Sequence, residues 1–200
     1  MIEIQQIQLV LRSQAASVIA ETERRSASVA LILTEGDQGL EVLFIERAAH
    51  PQDPWSGNLA FPGGRFDQGD ADLQATAERE TFEEIGLDLA GAELLGRLDD
   101  IVGAYLPVKI SCFVYYLAAP GELTLNHEVT RTTWFPLREL CNPARHTLAD
   151  LFWHGQERQI HGIHLDNDSP LLWGITYRLV IQFLNRLRII DPELCRVKDD

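Results

Sequence analysis

The hydrophobic positions along this chain change between β-type and helix-type spacing. Aliphatic and β-branched runs at 28–34 and 40–47 flank the turn-forming stretch 35–39, which predicts a β-hairpin. Further runs of the same kind predict strands at 58–61, 93–98, 108–117 and 132–135. Good helix formers predict helices at 3–25, 73–85, 137–140 and 171–187. Strands on both sides of one central helix, with helices near both ends, indicate an α/β protein with a mixed sheet enclosed between helices.

The segment 73–85 is the best defined of these helices. Asp70 and Asp72 are residue types that cap helix N-termini, and Gly86 is suited to the C-cap. At about 100° per residue, Phe82 points away from the acidic residues of the helix, with Ala75 and Ile85 not far from it. We therefore expect Phe82 to anchor the helix in the core.

Three carboxylates, those of Glu80, Glu83 and Glu84, lie on one face of this helix. Side chains three and four residues apart are neighbours, so these charges repel one another unless a cation joins them. Hard divalent ions take oxygen ligands, and the glycine turn Gly63-Gly64 lets a backbone carbonyl approach the same ion. The other interpretation is a solvated acidic face, but the spacing to Phe61-Pro62-Gly63-Gly64 favours a site for Mg²⁺ or Mn²⁺.

Length and composition suit one globular domain. The chain has 200 residues, of which 46% are hydrophobic, and it contains no repeat or linker that would divide it. We predict a single domain over 1–200, with an N-terminal helical extension at 1–27, a core with its C-terminal helix at 28–187, and a tail at 188–200. Charged residues interrupt 1–28, which argues against a signal peptide or a membrane span.

Charge and cysteine content narrow the partners and the compartment. The formal net charge is −13, which leaves no basic surface for nucleic acid. Cys112, Cys141 and Cys195 are widely spaced and form no C-x-x-C pair, so we expect reduced thiols in a cytoplasmic protein, with a catalytic cysteine disfavoured. A small molecule is the expected partner, no membrane contact is expected, and a homodimer is left open.

The stretch from Phe61 to Leu87 resembles the Nudix box, the loop–helix–loop of diphosphate hydrolases. Its usual form is G-x5-E-x7-R-E-U-x-E-E-x-G-U, where U is aliphatic. This chain meets six fixed positions, with Gly64, Arg79, Glu80, Glu83, Glu84 and Gly86. It has one residue more between Gly64 and Arg79, so the first acidic position falls on Asp70 or Ala71, and Thr81 replaces the aliphatic residue. The resemblance implies an α/β/α sandwich and metal-dependent hydrolysis.

A second resemblance, to the coenzyme A diphosphatase branch of that family, concerns the substrate. The branch carries R-[SA]-x3-R-x3-G-x3-F-P-G-G, and Arg47-Ala48 and Gly57-x3-Phe61-Pro62-Gly63-Gly64 fit its two ends. The middle departs, because the interval is one residue longer and Gln52 stands near the position where the branch has its second arginine. Leu172-Trp173-Gly174 is similar to the tryptophan–glycine segment of the branch. Cleavage of coenzyme A would give 3′,5′-ADP and 4′-phosphopantetheine, and a thioester would give acyl-phosphopantetheine.

The resemblance assigns roles to particular residues. The metal ligands would be Glu80, Glu83, Glu84 and the carbonyl of Gly64. The catalytic group would comprise these glutamates, Arg79 as their orienting partner, and Glu128, with Glu80 or Glu128 as the base. The substrate contacts would be Arg47, Arg65, Gly63 and Gly64.

Simpler structural interpretations stand beside these roles. Arg47 could form an ordinary surface ion pair, and Trp55 could support a turn. Trp173 is expected to pack in the last helix, together with Leu179, Phe183 and Leu187. His161 and His164 are expected in a surface loop.

Two rival functions also stay open. The substrate could be ADP-ribose or a dinucleotide, or the chain could be a non-catalytic, nucleotide-binding regulator.

Overall fold

The computed structural model describes residues 3–20, 25–49, 56–103, 108–153 and 156–190. The four helices in these residues are α1 (Ile4–Ser13), α2 (Leu73–Ile85), α3 (Leu137–Leu140) and α4 (Gly174–Arg186). The first strands are β1 (Arg25–Gly36), β2 (Gly39–Arg47), β3 (Leu59–Ala60), β4 (Gly63–Arg65), β5 (Glu93–Arg97) and β6 (Ile101–Val102). The remaining strands are β7 (Val108–Tyr116), β8 (Val129–Pro136), β9 (His146–Trp153), β10 (Gln156–Ile163) and β11 (Leu172–Trp173).

The main sheet contains eight strands and is mixed. Its central path runs β3-β2-β1-β7-β5, with β4 paired to β1, β6 to β7 and β8 to β2. Strands β1 and β7 are parallel, and the other pairs are antiparallel. The predicted hairpin of β1 and β2 is confirmed, with Gly36 opposite Gly39 at its turn.

Side chains of β1 alternate between two cores on opposite faces of this sheet. Leu31 and Leu33 pack into a core with residues of α1 and α4, whereas Ala30 and Ile32 pack into a core with residues of α2. Because successive residues of a strand point to opposite faces, one buried strand serves both layers. The predicted α/β/α arrangement with a mixed sheet is confirmed.

The N-terminal helix is shorter than the sequence predicts. It ends at Ser13 rather than near residue 25, and β1 begins at Arg25. The reason is tertiary: the backbone N–H groups of Ser17 and Ile19 donate to the carboxylates of Asp99 and Asp100, at 2.6 and 2.9 Å. Those bonds hold the chain beyond α1 along the body, where a helix would bond internally instead.

The helix α1 itself is packed against the body. Ile4, Ile7 and Leu11 are buried in the same core as α4. The segment that the sequence presents as an extension therefore contributes side chains to the main core.

The last helix begins later than predicted, at Gly174. Leu172 and Trp173 instead form β11, which pairs with β10 in a separate three-stranded sheet of order β11-β10-β9. The hairpin of β9 and β10 is absent from the sequence prediction, and it places His161 in a strand rather than a loop. Both His161 and His164 are exposed, as expected.

The central helix α2 has the predicted bounds, 73–85. Asp72 is the N-cap and accepts from Ala75 N, while Gly86 is the C-cap with φ 69°, in the left-handed region that favours glycine. The prediction for Phe82 is wrong, because its side chain is 59% exposed. The face that the helix buries consists of Thr76, Ala77, Thr81, Glu84 and Ile85.

Candidate active site

Strand β4 and helix α2 run side by side in opposite directions and meet at three successive strand residues. Gly63 N donates to Glu84 Oε2 at 2.9 Å. A Cβ on Gly64 would lie 2.6 Å from Glu80 Oε1, so the Glu80 carboxylate covers this glycine. The carbonyl of Arg65 accepts from Arg79 Nη2 at 3.2 Å. We call this arrangement of Gly63–Arg65 against Arg79–Glu84 the strand–helix seam.

Both glycines of the seam are required by its geometry. Gly63 has φ 150°, and a Cβ there would lie 2.6 Å from the Cα of Val29 on the neighbouring strand. At Gly64 the obstacle is the Glu80 carboxylate. A side chain at either position would therefore push β4 away from β1 or displace the glutamate.

Glu84 is the most buried carboxylate of the seam, with a side chain only 3% exposed. Burial raises the pKa of Glu84 to about 7. The Gly63 N–H and the Arg47 guanidinium, 4.0 Å away, lower this pKa, while the charges of Glu80 and Glu128 raise it. A further positive charge beside this carboxyl group would stabilise its ionised form.

Glu80 and Glu83 differ from Glu84 in their charge partner. Arg79 Nη1 donates to Glu80 Oε1 at 2.9 Å and to Glu83 Oε2 at 3.1 Å. Burial nevertheless raises the pKa of Glu80, against the lowering effect of Arg79. Glu83 is about half exposed. The three carboxylates thus span a range from buried to solvated along one helix face.

Asp70 is a residue of this site that the sequence left ambiguous. It forms a bidentate pair with Arg79, with Nε to Oδ1 at 2.8 Å and Nη2 to Oδ2 at 3.0 Å. It also accepts from Thr76 Oγ1 and from Asp67 N, and the Arg79 hydrogen bonds hold its pKa well below the usual range. Asp70 therefore fixes the arginine that holds the glutamates. The signal in the sequence was an acidic residue near the box position, shifted by one insertion.

Glu128 and Arg47 lie at the Glu84 end of the seam. Asn126 N donates to the carbonyl of Glu84 at 2.9 Å, and Ala48 N donates to the carbonyl of Glu128 at 2.7 Å. The chain 124–128 is thereby bonded to both the end of α2 and the segment after β2. The Glu128 side chain is about half exposed, and its charge raises the pKa of both Glu80 and Glu84.

An open cleft of about 650 Å³ lies at the other end of the seam. Its lining residues are Arg65, Phe66, Asp67, Gly69, Asp70, Arg79, Glu80 and Glu83. Arg65, Arg79, Glu80 and Glu83 are predicted site residues that line it. Arg47, Glu84 and Glu128 lie outside this lining, at the opposite end of the seam.

The donor set suits a hard divalent cation by its chemistry. The seam offers carboxylate oxygens and a glycine backbone, which are the ligand types that Mg²⁺ and Mn²⁺ take. The buried Glu84 carboxyl has a raised pKa, and its charged neighbour Arg47 is 4.0 Å away. In the part of the chain that is described, no three acidic, histidine or cysteine side chains already converge as a metal cage. Arg79 is the cation that joins Glu80 to Glu83 in this arrangement.

Other features that the sequence singled out lie away from the seam or outside the described residues. Burial raises the pKa of the Cys112 thiol to about 12 and that of Cys141 to about 11, which keeps both thiols protonated and unreactive. Gln52, Trp55 and Cys195 lie outside the described residues. Among the residues described, no helix has the length and apolar character needed to span a bilayer.

Comparison with known proteins matches this chain to a family. The family model described as NUDIX domain matches residues 23–152. An uncharacterized protein of Schizosaccharomyces pombe is 38% identical over 110 residues, which are 51% of this chain and 33% of that protein. Nudix hydrolase 3 of Caenorhabditis elegans is 31% identical over 137 residues, which are 66% of this chain and 56% of that protein.

These relatives are longer than this chain. It spans about a third of the first relative and just over half of the second. A solved structure of a MutT/nudix family protein from Enterococcus faecalis superposes with a TM-score of 0.58 at 16% identity, covering 94% of this chain and 75% of the other. That likeness concerns the fold.

Proposed function

Because this chain belongs to the NUDIX domain family, we propose that it is a metal-dependent hydrolase of a nucleoside diphosphate-linked substrate. The observation that carries the proposal is the strand–helix seam, where the motif glutamates meet the glycine turn. Its most buried member, Glu84, accepts from Gly63 N, and Arg79 holds Glu80 and Glu83. Relatives named as Nudix hydrolases support the same reaction class.

Glu80, Glu83, Glu84 and the carbonyl of Gly64 would hold Mg²⁺ or Mn²⁺. When bound, such an ion neutralises the bridged phosphates and favours ionisation of water. Glu84, whose pKa is raised to about 7 chiefly by burial, would be held in its ionised form beside such an ion, because a nearby positive charge lowers the pKa of a carboxyl group. Arg79, fixed by Asp70, would keep the Glu80 and Glu83 carboxylates aimed at the cleft.

The base that takes a proton from the attacking water would be Glu80 or Glu128. Glu80 lines the cleft and accepts from Arg79, and burial raises its pKa against the lowering effect of that arginine. Glu128 is more exposed, and its charge acts on both Glu80 and Glu84. Separate Glu80→Gln and Glu128→Gln variants distinguish them, because loss of the base removes the acidic limb of the pH–rate profile.

The substrate we propose is coenzyme A or acyl-coenzyme A, cleaved to 3′,5′-ADP and 4′-phosphopantetheine or its acyl derivative. Parts of the coenzyme A signature that lie far apart in sequence are joined in the fold. Arg47 N donates to the carbonyl of Asn58 at 3.1 Å, and Gly57 N donates to the carbonyl of Arg47 at 3.0 Å. Trp173 Nε1 donates to Asn58 Oδ1 at 3.1 Å, so the tryptophan–glycine segment contacts the same residue, just before β3.

One experiment tests both the chemistry and the substrate. The purified protein is given coenzyme A, acyl-coenzyme A, NADH and ADP-ribose with Mg²⁺, and the products are identified by mass spectrometry. We expect cleavage at the diphosphate, with a higher kcat/KM for coenzyme A than for ADP-ribose and no activity in excess chelator. Glu84→Gln should lower kcat at least about 100-fold, since it removes a metal-ligating charge while keeping the shape of the side chain.

Glu78→Gln is the matched control for this substitution. Glu78 lies on the same helix, but it accepts from Gln74 and Tyr115 and takes no part in the seam. Full activity in chelator, or Glu84→Gln activity near that of Glu78→Gln, contradicts the metal-dependent mechanism. Equal kcat/KM for ADP-ribose and coenzyme A leaves the diphosphatase in place and removes coenzyme A as its preferred substrate.

A further inference from the structure

Phe66 is an aromatic side chain at the edge of the cleft. It directly follows β4, and its N–H donates to the carbonyl of Ser26 at 3.0 Å, which continues the pairing of β4 with β1 by one residue. The side chain is 42% exposed. Its backbone is thus fixed by the sheet, while its ring remains open to a ligand.

The direction of the ring follows from the strand. Residues two apart in an extended chain point to the same side, so Phe66 shares the side of Gly64, which is covered by the Glu80 carboxylate. Phe66 also lines the cleft together with Glu80 and Glu83. Phe66 is the one apolar side chain among the described residues of that lining.

The side chains of Phe66 and its neighbour Arg65 have no polar or ring partner among the residues that the structure describes. Across the described residues, the Phe66 ring makes no aromatic or cation–π contact, and the Arg65 guanidinium makes no hydrogen bond or ion pair. Arg79, in the same cleft, has its guanidinium bonded to Asp70, Glu80 and Glu83. In this cleft, the Phe66 ring and the Arg65 guanidinium are therefore available to a ligand, whereas the Arg79 guanidinium is already bonded to carboxylates.

We propose that Phe66 is the platform on which the nucleobase of the substrate stacks, with Arg65 binding a phosphate of the same nucleoside. A phenyl face accepts any planar heteroaromatic ring, and a guanidinium suits phosphate oxygens. This assignment rests on the proposed function, and it adds the orientation of the substrate along the seam. The nucleoside end lies at the Arg65–Phe66 end of the seam, and the other half of the diphosphate substrate extends past Glu84 toward Arg47 and Glu128.

The order of contacts along the seam supports this direction. Gly63 meets Glu84, Gly64 meets Glu80 and Arg65 meets Arg79, so each step along β4 moves away from Arg47. A diphosphate held at the glutamates then has one substituent on each side. The Phe66 ring is on one side, and Arg47 and Glu128 are on the other.

Binding of the nucleoside product tests the subsite without relying on cleavage. The affinities of 3′,5′-ADP and of ring-free ribose 3,5-bisphosphate are measured by calorimetry in Mg²⁺ buffer. Phe66→Ala should weaken 3′,5′-ADP about 5- to 150-fold, because stacking of a base on an aromatic side chain is worth about 1–3 kcal/mol. It should leave ribose 3,5-bisphosphate unchanged. Phe66→Trp should bind 3′,5′-ADP about as tightly as the wild type, and Arg65→Gln should weaken both ligands alike.

Phe82→Ala is the matched control, since it truncates another exposed phenylalanine that lies outside the cleft lining. Unchanged 3′,5′-ADP affinity in Phe66→Ala, equal weakening of both ligands, or no binding of 3′,5′-ADP to the wild type would overturn the subsite. A wild type that binds 3′,5′-ADP through Phe66 but cleaves no diphosphate would overturn the proposed function alone.

Discussion

Helices α2 and α4 have the same length, 13 residues, but they differ in the side chains that they bury. The buried residues of α4 are Tyr177, Leu179, Val180, Ile181, Phe183 and Leu184. Those of α2 include two threonines and a glutamate, while its one phenylalanine, Phe82, is exposed. Apolar burial orients α4, whereas α2 is oriented by a mixture of small, polar and charged contacts.

The polar face of α2 is tolerated because its buried groups have partners. Thr81 Oγ1 donates to the carbonyl of Ala77 at 2.7 Å, and Thr76 Oγ1 donates to Asp70 Oδ2 at 2.8 Å. Glu84 accepts from Gly63, yet its raised pKa shows that this one bond does not offset burial of its charge. We infer that burial of α4 stabilises the fold, whereas burial of the Glu84 carboxylate in α2 destabilises it.

Truncating a buried side chain of α4 should have the largest effect on stability. Phe183 is 1% exposed, so Phe183→Ala removes a full aromatic side chain from the core. We expect the free energy of unfolding to fall by about 3–5 kcal/mol, measured by urea denaturation at constant m-value. The folded fraction should keep its kcat, and a loss of under 1 kcal/mol would show that α4 does not stabilise the fold as its burial suggests.

Neutralising Glu84 should have the opposite sign in the metal-free protein. Its folded pKa of about 7 lies above the ordinary 4.5, so between these values the folded state binds more protons than the unfolded chain. The free energy of unfolding therefore falls as pH rises through this range and stays low above it. Glu84→Gln avoids that loss and should be more stable than the wild type at pH 8 by something on the order of 1–3 kcal/mol.

The same difference should vanish near pH 4, where Glu84 is protonated in both states. Thermal unfolding in chelator, at pH 4, 6 and 8, measures the effect. Adding Mg²⁺ at pH 8 should raise the Tm of the wild type more than that of Glu84→Gln. A variant less stable than the wild type at pH 8 would mean that the Glu84 charge stabilises the metal-free fold.

Truncating the exposed phenylalanine of α2 should have the smallest effect. Phe82 is 59% exposed, and surface substitutions of this kind usually change stability within about 0.5 kcal/mol. Phe82→Ala should therefore unfold at nearly the wild-type urea midpoint. A loss comparable to that of Phe183→Ala would require Phe82 to be covered, for example by a second copy of the chain.

The local features of the fold followed from the sequence where neighbouring residues decide them. The bounds of α2 depend on its run of helix formers and on Asp72 and Gly86, which act within one turn of each end. The β1–β2 hairpin depends on the turn between its own strands. Elements of this kind are determined by contacts between residues close in sequence.

Other predictions failed because distant residues decide them. The end of α1 is set by Asp99 and Asp100, more than 80 residues away in sequence. The buried face of α2 includes Glu84, which accepts from the distant Gly63 N–H, and Phe82 is exposed. The β9–β10 hairpin was not predicted although its strands are adjacent in sequence, and β11 joins it from the segment just before α4.

The candidate site divides in the same way. The sequence by itself determined the spacing of Glu80, Glu83 and Glu84 and the glycines that face them, because one helix and one turn fix that spacing. Only the tertiary structure decided that Asp70 holds Arg79, that Glu84 is buried, and that Phe66 opens into the cleft. Burial and charge pairing arise where separate segments meet, and the sequence order of those segments does not specify how they pack.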